Sequence, residues 1–127
     1  MMTREIIFQK VISIMSDCLD IDKTKFKGDT KFFSEFEVES TEILELTFRM
    51  EQEFGFVMGE SEFWSCANLI ANNEMFGSEG FTEEAKNIIN KYFHIPEDSL
   101  KNMKSPFDIY EYISIDDLVR YVEEKLK

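Results

Sequence analysis

Residues 37–56 read EVESTEILELTFRMEQEFGF, and this stretch decides the fold. Apolar and acidic residues alternate in it at helical spacing, which predicts an amphipathic helix from about Ser40 to Phe54, with Gly55 as its stop. Glu45 and Arg49 are spaced for an (i, i+4) ion pair on that helix. The predicted apolar face consists of Ile43, Leu44, Leu46, Phe48, Met50 and Phe54.

A serine, Ser40, stands at the start of this helix among several carboxylates. A hydroxyl at such a boundary usually caps the helix, because it accepts a hydrogen bond from a backbone N–H of the first turn. Local chemistry therefore favours a cap. The same position could also present the hydroxyl for attachment of another group, and the residues alone leave both interpretations open.

Helical periodicity recurs on both sides of this stretch. Thr3 is placed to cap a first helix that ends near Leu19. Its predicted buried stripe consists of Ile6, Ile7, Val11, Ile14, Met15 and Cys18. Later helices are predicted at about 61–71, 82–93, 97–102 and 115–126. Ser114 and Asp117 form a capping box for the last of them, in which Ile115, Leu118, Val119 and Val122 should be buried.

The segments between these helices carry no strand pattern. Residues 20–39 are predicted to be a long loop, pinned to the core by Phe26, Phe32, Phe33 and Phe36. Residues 105–113 are predicted to be a mostly irregular connector. No internal repeat is present, and 127 residues suffice for one domain with a core. The expected fold is all-α.

The net charge of −12 excludes several classes of partner. It would repel nucleic-acid phosphates and anionic lipid surfaces, and it favours proteins that present Lys and Arg patches. No window is long and apolar enough for a membrane span. We therefore expect a cytoplasmic protein that binds no nucleic acid and does not insert into membranes.

Catalytic and metal-binding residues are not evident. The single histidine, His94, falls near a predicted helix end, and Cys18 and Cys66 are isolated residues of a kind that is usually buried. Three aspartates, at positions 17, 20 and 22, lack the glycine and glutamate of a calcium loop. We expect neither an enzyme nor a metal site.

The stretch FFSEFEVESTEILELTFRMEQEFGF, residues 32–56, resembles the acyl carrier proteins of fatty-acid and polyketide synthesis. In that family a Phe and a Leu-Gly pair precede an Asp-Ser-Leu motif, and the helix continues through Glu-Leu to a Glu-Glu-Phe type ending. The C-terminal YISIDDLVRYVEEKL, residues 112–126, is similar to the last helix of the family. The resemblance covers residues 1–58 and 112–127.

The resemblance implies an up-and-down helical bundle, most simply a monomer, that carries acyl groups. Ser40 would be esterified by 4′-phosphopantetheine, transferred from coenzyme A by a magnesium-dependent phosphopantetheinyl transferase. The thiol of that arm would carry acyl groups as thioesters between enzymes of a fatty-acid, lipid or polyketide pathway. Acyl-transferring or synthase enzymes with basic patches would dock on Glu39, Glu42, Leu44, Glu45 and Phe48.

The chain also departs from the family. Glu39 replaces the usual Asp, Thr41 replaces the usual Leu, and Arg49 is an unusual positive charge. An insert with extra helices at about 61–111 should enlarge either the acyl pocket or the partner surface, although most of its aromatics are expected only to pack.

Two alternatives to this specialised acyl carrier remain. One is a peptidyl carrier, which the acidic residue before Ser40 disfavours. The other is an unmodified acidic interaction module in which Ser40 is only a cap.

Overall fold

The first helix, α1, spans Arg4–Leu19 in the computed structural model, which describes residues 2–127. It begins as the sequence predicts, with the Ile6 N–H donating to the Thr3 hydroxyl over 3.2 Å. The predicted stripe is wrong at Ile6, which is 44% exposed, and it missed Ile12, which is buried. The helix is covered on two sides, so its buried face is broader than one stripe. Its buried residues are Ile7, Val11, Ile12, Ile14 and Met15.

The central amphipathic helix, α3, spans Ser40–Phe54 and ends as predicted at Gly55, which has a φ of 72°. Glycine suits this left-handed position because it carries no Cβ. Leu46, Met50 and Phe54 are buried. The predicted apolar face is wrong at Leu44 and Phe48, which are 70% and 60% exposed. These two side chains lie one helical turn apart on the side of α3 that no other element covers.

Two ion pairs join α3 to α1. Lys10 lies 3.0 Å from Glu53, and Arg49 lies 3.2 Å from Asp17. The second pair replaces the predicted contact between Arg49 and Glu45, because Arg49 points toward the neighbouring helix rather than along its own. The earlier residue on α1, Lys10, pairs with the later residue on α3, Glu53, so the two helices are antiparallel.

The last helix, α7, spans Ile115–Lys125 and begins with the predicted capping box. The Ser114 N–H donates to Asp117 Oδ2 over 3.0 Å, and the Asp117 N–H donates to Ser114 Oγ over 3.1 Å. The four residues predicted to be its core are all buried. Arg4 pairs with Glu123, so α7 is antiparallel to α1. Because α1 packs on both α3 and α7, the three helices form an up-and-down bundle.

The predicted loop at 20–39 contains two short elements that the sequence did not reveal. A 3-10 turn spans Lys23–Lys25, and a one-turn helix, α2, spans Phe32–Glu35. Both are too short to produce a periodic signal. The aromatic anchors are confirmed, since all of them are buried in the core or packed against it: Phe26, Phe32, Phe33 and Phe36.

The second half of the chain adds short elements to the bundle. They are a 3-10 turn at Phe63–Ser65, α4 at Cys66–Asn72, β1 at Phe76–Gly77, β2 at Gly80–Phe81, α5 at Glu83–Tyr92, α6 at Glu97–Lys101 and a 3-10 helix at Pro106–Tyr112. The strands pair antiparallel, Phe76 with Phe81. The sequence missed this hairpin because two-residue strands show no alternation. The connector at 105–113 is more regular than predicted, since it contains the 3-10 helix. No helix within residues 2–127 could span a membrane.

The aromatic side chains of the second half mostly pack this segment onto the bundle. Phe63, Trp64, Phe81 and Phe93 are buried, Phe76 is half-buried, and Phe107 is 42% exposed. The ring of Phe63 lies 4.9 Å from that of Phe93 and 5.0 Å from that of Tyr121 on α7. Phe63 has a φ of 49°, a strained conformation for a bulky residue. Its complete burial stabilises this conformation.

A polar contact accompanies this aromatic packing. The Tyr121 hydroxyl donates to Glu62 Oε1 over 2.6 Å, and Lys125 Nζ lies 3.1 Å from the same oxygen. The hydrogen bond from Tyr121 is the main cause that lowers the pKa of Glu62. Burial, followed by the bond to Glu62, raises the pKa of Tyr121.

We expect Tyr121→Phe to reduce the free energy of unfolding near neutral pH by about 1 kcal/mol, through loss of a hydrogen bond to a charged group. Because the pKa of Glu62 is lowered by folding, this stabilisation is present above its ordinary value of 4.5 and is lost as the pH falls through the folded value. Urea unfolding of parent and variant across the acid range measures the difference.

Tyr112→Phe is the matched control, since the Tyr112 hydroxyl has no hydrogen bond to any residue from 2 to 127. The control should show no such pH dependence. If the difference in free energy of unfolding between the parent and Tyr121→Phe stays constant as the pH falls below 4.5, the hydrogen bond to Glu62 is not the cause of the stabilisation.

Candidate functional site

Ser40 is the first residue of α3 and does not cap it. The N-cap is Glu39, which has extended backbone with a φ of −86° and a ψ of 159°. The Ser40 side chain is exposed, and its hydroxyl makes no hydrogen bond within the described part of the chain. The interpretation of Ser40 as a cap is therefore wrong, and the hydroxyl is free for other chemistry.

Glu42 explains why Ser40 is not needed as a cap. Its Oε1 accepts a hydrogen bond from the Glu39 N–H over 2.8 Å, as in the reciprocal half of a capping box. The sequence carried a signal for this arrangement, since a Glu three residues after the N-cap is part of the capping-box pattern. The hydroxyl of Ser40, one residue after the true N-cap, gives a competing capping signal.

The backbone at the start of α3 can accommodate a negative charge. The Glu42 and Ile43 N–H groups donate to the Glu39 carbonyl over 3.0 and 3.1 Å. The Ser40 and Thr41 N–H groups have no backbone acceptor among residues 2–127. Unpaired N–H groups and the positive end of the helix dipole favour an anion at this end of a helix. A phosphodiester on the Ser40 oxygen would fit this environment.

The surface of α3 beside Ser40 combines carboxylates with exposed apolar side chains. We call it the α3 surface, and it consists of the predicted docking residues Glu39, Glu42, Leu44, Glu45 and Phe48. Leu44 and Phe48 are the apolar members and lie one turn apart. Glu39 and Glu45 are exposed and Glu42 is half-buried. The structure thus places all five beside Ser40 or within eight residues of it along the same helix.

The remaining candidate residues lie away from Ser40. Burial raises the pKa of Cys66 to about 12 and is also the main cause that raises the pKa of Cys18, so neither thiol is activated. His94 is exposed and lines a surface groove of about 570 Å³ with Arg4, Glu62 and Glu123. Arg4 begins α1, so this groove lies at the end of the bundle opposite Ser40. Residues 2–127 contain no group of side chains that could hold a metal ion.

Comparisons with known proteins match this arrangement. The family described as "Phosphopantetheine attachment site" matches residues 9–71. Polyketide-8 synthase acyl carrier protein 2 of Streptomyces avermitilis is 30% identical over 71 residues, 56% of this chain and 82% of that protein. The acyl carrier protein of Petrotoga mobilis is 33% identical over 61 residues, 48% of this chain and 72% of that protein. The acyl carrier protein of Clostridium acetobutylicum is 36% identical over 56 residues, 44% of this chain and 73% of that protein.

No solved structure gives a significant match to the chain. A helical bundle with a phosphopantetheine-binding segment defines a class of carrier domains, and the identities place the chain within that class. The chain belongs to the acyl carrier protein family.

Membership settles two properties predicted from the sequence. Acyl carrier proteins carry substrates for other proteins rather than catalysing reactions, so the chain is not an enzyme. The cofactor of the phosphopantetheine-binding domain is 4′-phosphopantetheine, which is attached covalently. Family membership implies that synthases and transferases are the partners of the chain.

Glu42→Ala should loosen the start of α3, because the Glu39 N–H loses its acceptor. We expect faster amide hydrogen exchange over residues 39–43 and a loss of about 0.5–1 kcal/mol in the free energy of unfolding. Glu42→Gln keeps an acceptor oxygen and is the matched control. Equal exchange rates in the two variants would show that the hydrogen bond does not hold the helix start.

Proposed function

We propose that this chain is a specialised acyl carrier protein that is modified at Ser40. It holds acyl groups as thioesters on 4′-phosphopantetheine and passes them between enzymes of a fatty-acid, lipid or polyketide pathway. The observation that carries the proposal is the exposed, unbonded hydroxyl of Ser40 at the first residue of α3, within the matched residues 9–71.

The chain contributes position and electrostatics to this function. The Ser40 oxygen would form the phosphodiester bond when a transferase cleaves the pyrophosphate of coenzyme A, with adenosine 3′,5′-bisphosphate as the leaving group and the serine proton passing to a base of the transferase or to solvent. The free N–H groups of Ser40 and Thr41 would then face a negative charge, which the helix dipole favours. The thiol of the arm, when attached, supplies the group that forms thioesters. Every other step belongs to the partner enzymes.

A dedicated pathway fits this chain better than a general synthase. Thr41 offers a smaller apolar contact beside Ser40 than the Leu usual in the family, and Arg49 is engaged with Asp17 on the flank of α3. One relative is named as a polyketide synthase carrier, whereas two others are named only as acyl carrier proteins. These features support a specialised carrier and leave fatty-acid, lipid and polyketide pathways as its candidates.

The insert at about 61–111 forms one domain with the rest of residues 1–127 under this proposal. Support comes from the buried Phe63, which contacts Tyr121 of α7, and from the hydrogen bond between Glu62 and Tyr121. Because the insert's aromatics are mostly buried in the shared core, their main role is to pack the insert onto the bundle.

The α3 surface is the proposed docking site for enzymes with basic patches. Its carboxylates would steer the encounter, and the exposed side chains of Leu44 and Phe48 would supply the apolar contact. Contacts of this kind are brief and sensitive to salt, as a shuttling carrier requires.

Incubation with coenzyme A, magnesium and a broad-specificity phosphopantetheinyl transferase should add the mass of one phosphopantetheine to the parent chain. Ser40→Ala should remain unmodified. Ser34→Ala is the matched control, because Ser34 is also exposed and lies six residues before Ser40, and it should be modified like the parent. Intact-mass spectrometry reads all three.

Two results would count against modification at Ser40. Addition to Ser40→Ala would place the attachment elsewhere. No addition to a parent shown to be folded by circular dichroism, with general and dedicated transferases alike, would favour the unmodified interaction module.

Leu44→Ala combined with Phe48→Ala should slow loading by the transferase by about tenfold, since exposed apolar anchors contribute to binding rather than folding. The free energy of unfolding should change by less than about 0.5 kcal/mol. Val57→Ala removes an apolar side chain that is 74% exposed outside the α3 surface, and it should leave loading unchanged. If the double variant and Val57→Ala are loaded at equal rates, Leu44 and Phe48 are not part of the docking site.

A further inference from the structure

Half of the fourteen basic side chains make no ion pair among residues 2–127. The unpaired ones are Lys23, Lys25, Lys27, Lys31, Lys91, Lys101 and Lys104. The first four fall within nine consecutive residues, and we call residues 23–31 the lysine loop. Such a concentration of unpaired cations stands out in a chain of net charge −12, in which carboxylates outnumber basic groups by nearly two to one.

Two of the three carboxylates nearest in sequence accept hydrogen bonds from donors other than lysine ammonium groups. Asp22 Oδ1 accepts from the Thr24 N–H over 2.9 Å and from the Thr24 hydroxyl over 2.8 Å. Glu35 Oε2 accepts from the backbone N–H of Lys31 over 2.6 Å, not from its ammonium group. Asp29 is exposed and makes no ion pair within the described residues. The lysine ammonium groups therefore remain free for an external anion.

The backbone of the lysine loop is anchored to the bundle by hydrogen bonds and by a buried ring. The Gly28 carbonyl accepts from the Asp116 N–H over 2.8 Å, and the Thr30 carbonyl accepts from the Ile115 N–H over 3.1 Å. These bonds satisfy two N–H groups at the start of α7. Phe26 is also buried beneath the loop. A fixed backbone lowers the entropy cost of presenting the lysines to a partner.

Two of these lysines border a hollow in the surface. Lys25 and Lys27 line it, and its volume is about 480 Å³. Thr24, Asp29, Thr30 and Glu35 complete its wall. The hollow is open to solvent and has room for side chains of another protein. Its two ammonium groups would recognise carboxylates there.

The lysine loop lies at the same end of the bundle as Ser40. The ring of Phe26 packs 5.4 Å from that of Phe36, which is four residues before Ser40. The loop also contacts the start of α7, which is parallel to α3. A protein that reaches Ser40 therefore meets two surfaces of opposite charge, the α3 surface and the lysine loop.

We propose that the lysine loop is a second docking contact, which binds acidic side chains on the enzymes that act at Ser40. The nature of the partner rests on the proposed carrier function, whereas the preference for carboxylates rests on the loop alone. A partner protein with a compact acidic patch fits better than a membrane or a nucleic acid. Both of the latter are extended polyanions that the net charge of −12 and the neighbouring α3 surface would repel.

Two contacts of opposite sign fix the orientation of a partner more strictly than one. An enzyme with only a basic patch can rotate about the α3 surface, whereas an enzyme with an acidic patch beside the basic one can dock in a single orientation. The lysine loop would thereby select among enzymes that all recognise an acidic carrier helix.

The test titrates the unmodified, 15N-labelled chain with N-acetylated hexaglutamate at low salt and follows amide signals by NMR. Lys23, Lys25 and Lys27 are changed together to Glu in one variant. The matched control changes Lys91, Lys101 and Lys104 to Glu, since these are also exposed, unpaired within residues 2–127 and equal in charge change. Circular dichroism confirms that each variant folds. Because Ser40 need not be modified, failure here is distinct from failure of the loading experiment.

We expect the peptide to shift signals of residues 22–31, and its Kd to rise about tenfold in the loop variant but little in the control, as the loss of several exposed ion pairs implies. If peptide binding weakens equally in both variants, the attraction is a diffuse effect of net charge and the proposal is overturned. The absence of amide shifts in residues 22–31 would also overturn it. A parallel experiment sediments the chain with phosphatidylglycerol vesicles. If the parent sediments with the vesicles, the loop variant does not, and the peptide causes no shifts, the loop binds a membrane surface and the proposal is overturned.

Discussion

The burial of α1 between α3 and α7 is the constraint on which the rest of the structure depends. Both partner helices lie antiparallel to α1, so they begin at the same end of the bundle. That geometry places the first residue of α3, Ser40, at the same end of the bundle as the start of α7 and the loop that caps it. The proposed carrier site is therefore positioned by apolar packing along the bundle, and no contact made by Ser40 itself is required.

Sequence periodicity was sufficient to predict the long helices. The bounds of α3 and the capping box of α7 agree with the structure, because each has a strong local signal in Gly55 or in the Ser114–Asp117 pair. The hairpin and the 3-10 elements were missed because they are too short to be periodic. Leu44 and Phe48 were predicted both for the apolar face of α3 and for the docking surface, since a pattern of apolar residues cannot show which of them another helix covers.

The site was less predictable than the fold. The motif resemblance singled out Ser40 as a possible attachment point, but local rules assigned its hydroxyl to helix capping. Glu39 and Glu42 take over that task through the hydrogen bond from the Glu39 backbone N–H to the Glu42 side chain, and the spacing of these two residues indicates the pairing less strongly than a hydroxyl at Ser40 indicates a cap. The lysine loop was likewise hidden in a sequence of strongly negative net charge, because pairing between distant residues determines which cations remain free.

The left-handed backbone of Phe63 has a consequence for how this carrier relates to shorter ones. Its ring lies 5.0 Å from that of Tyr121 on the last helix, so residues outside α1, α3 and α7 fill space that those helices leave open. Removing residues 61–111 would empty the space under the last helix. A version of this chain cut down to its three long helices would therefore need larger side chains on those helices to close its core.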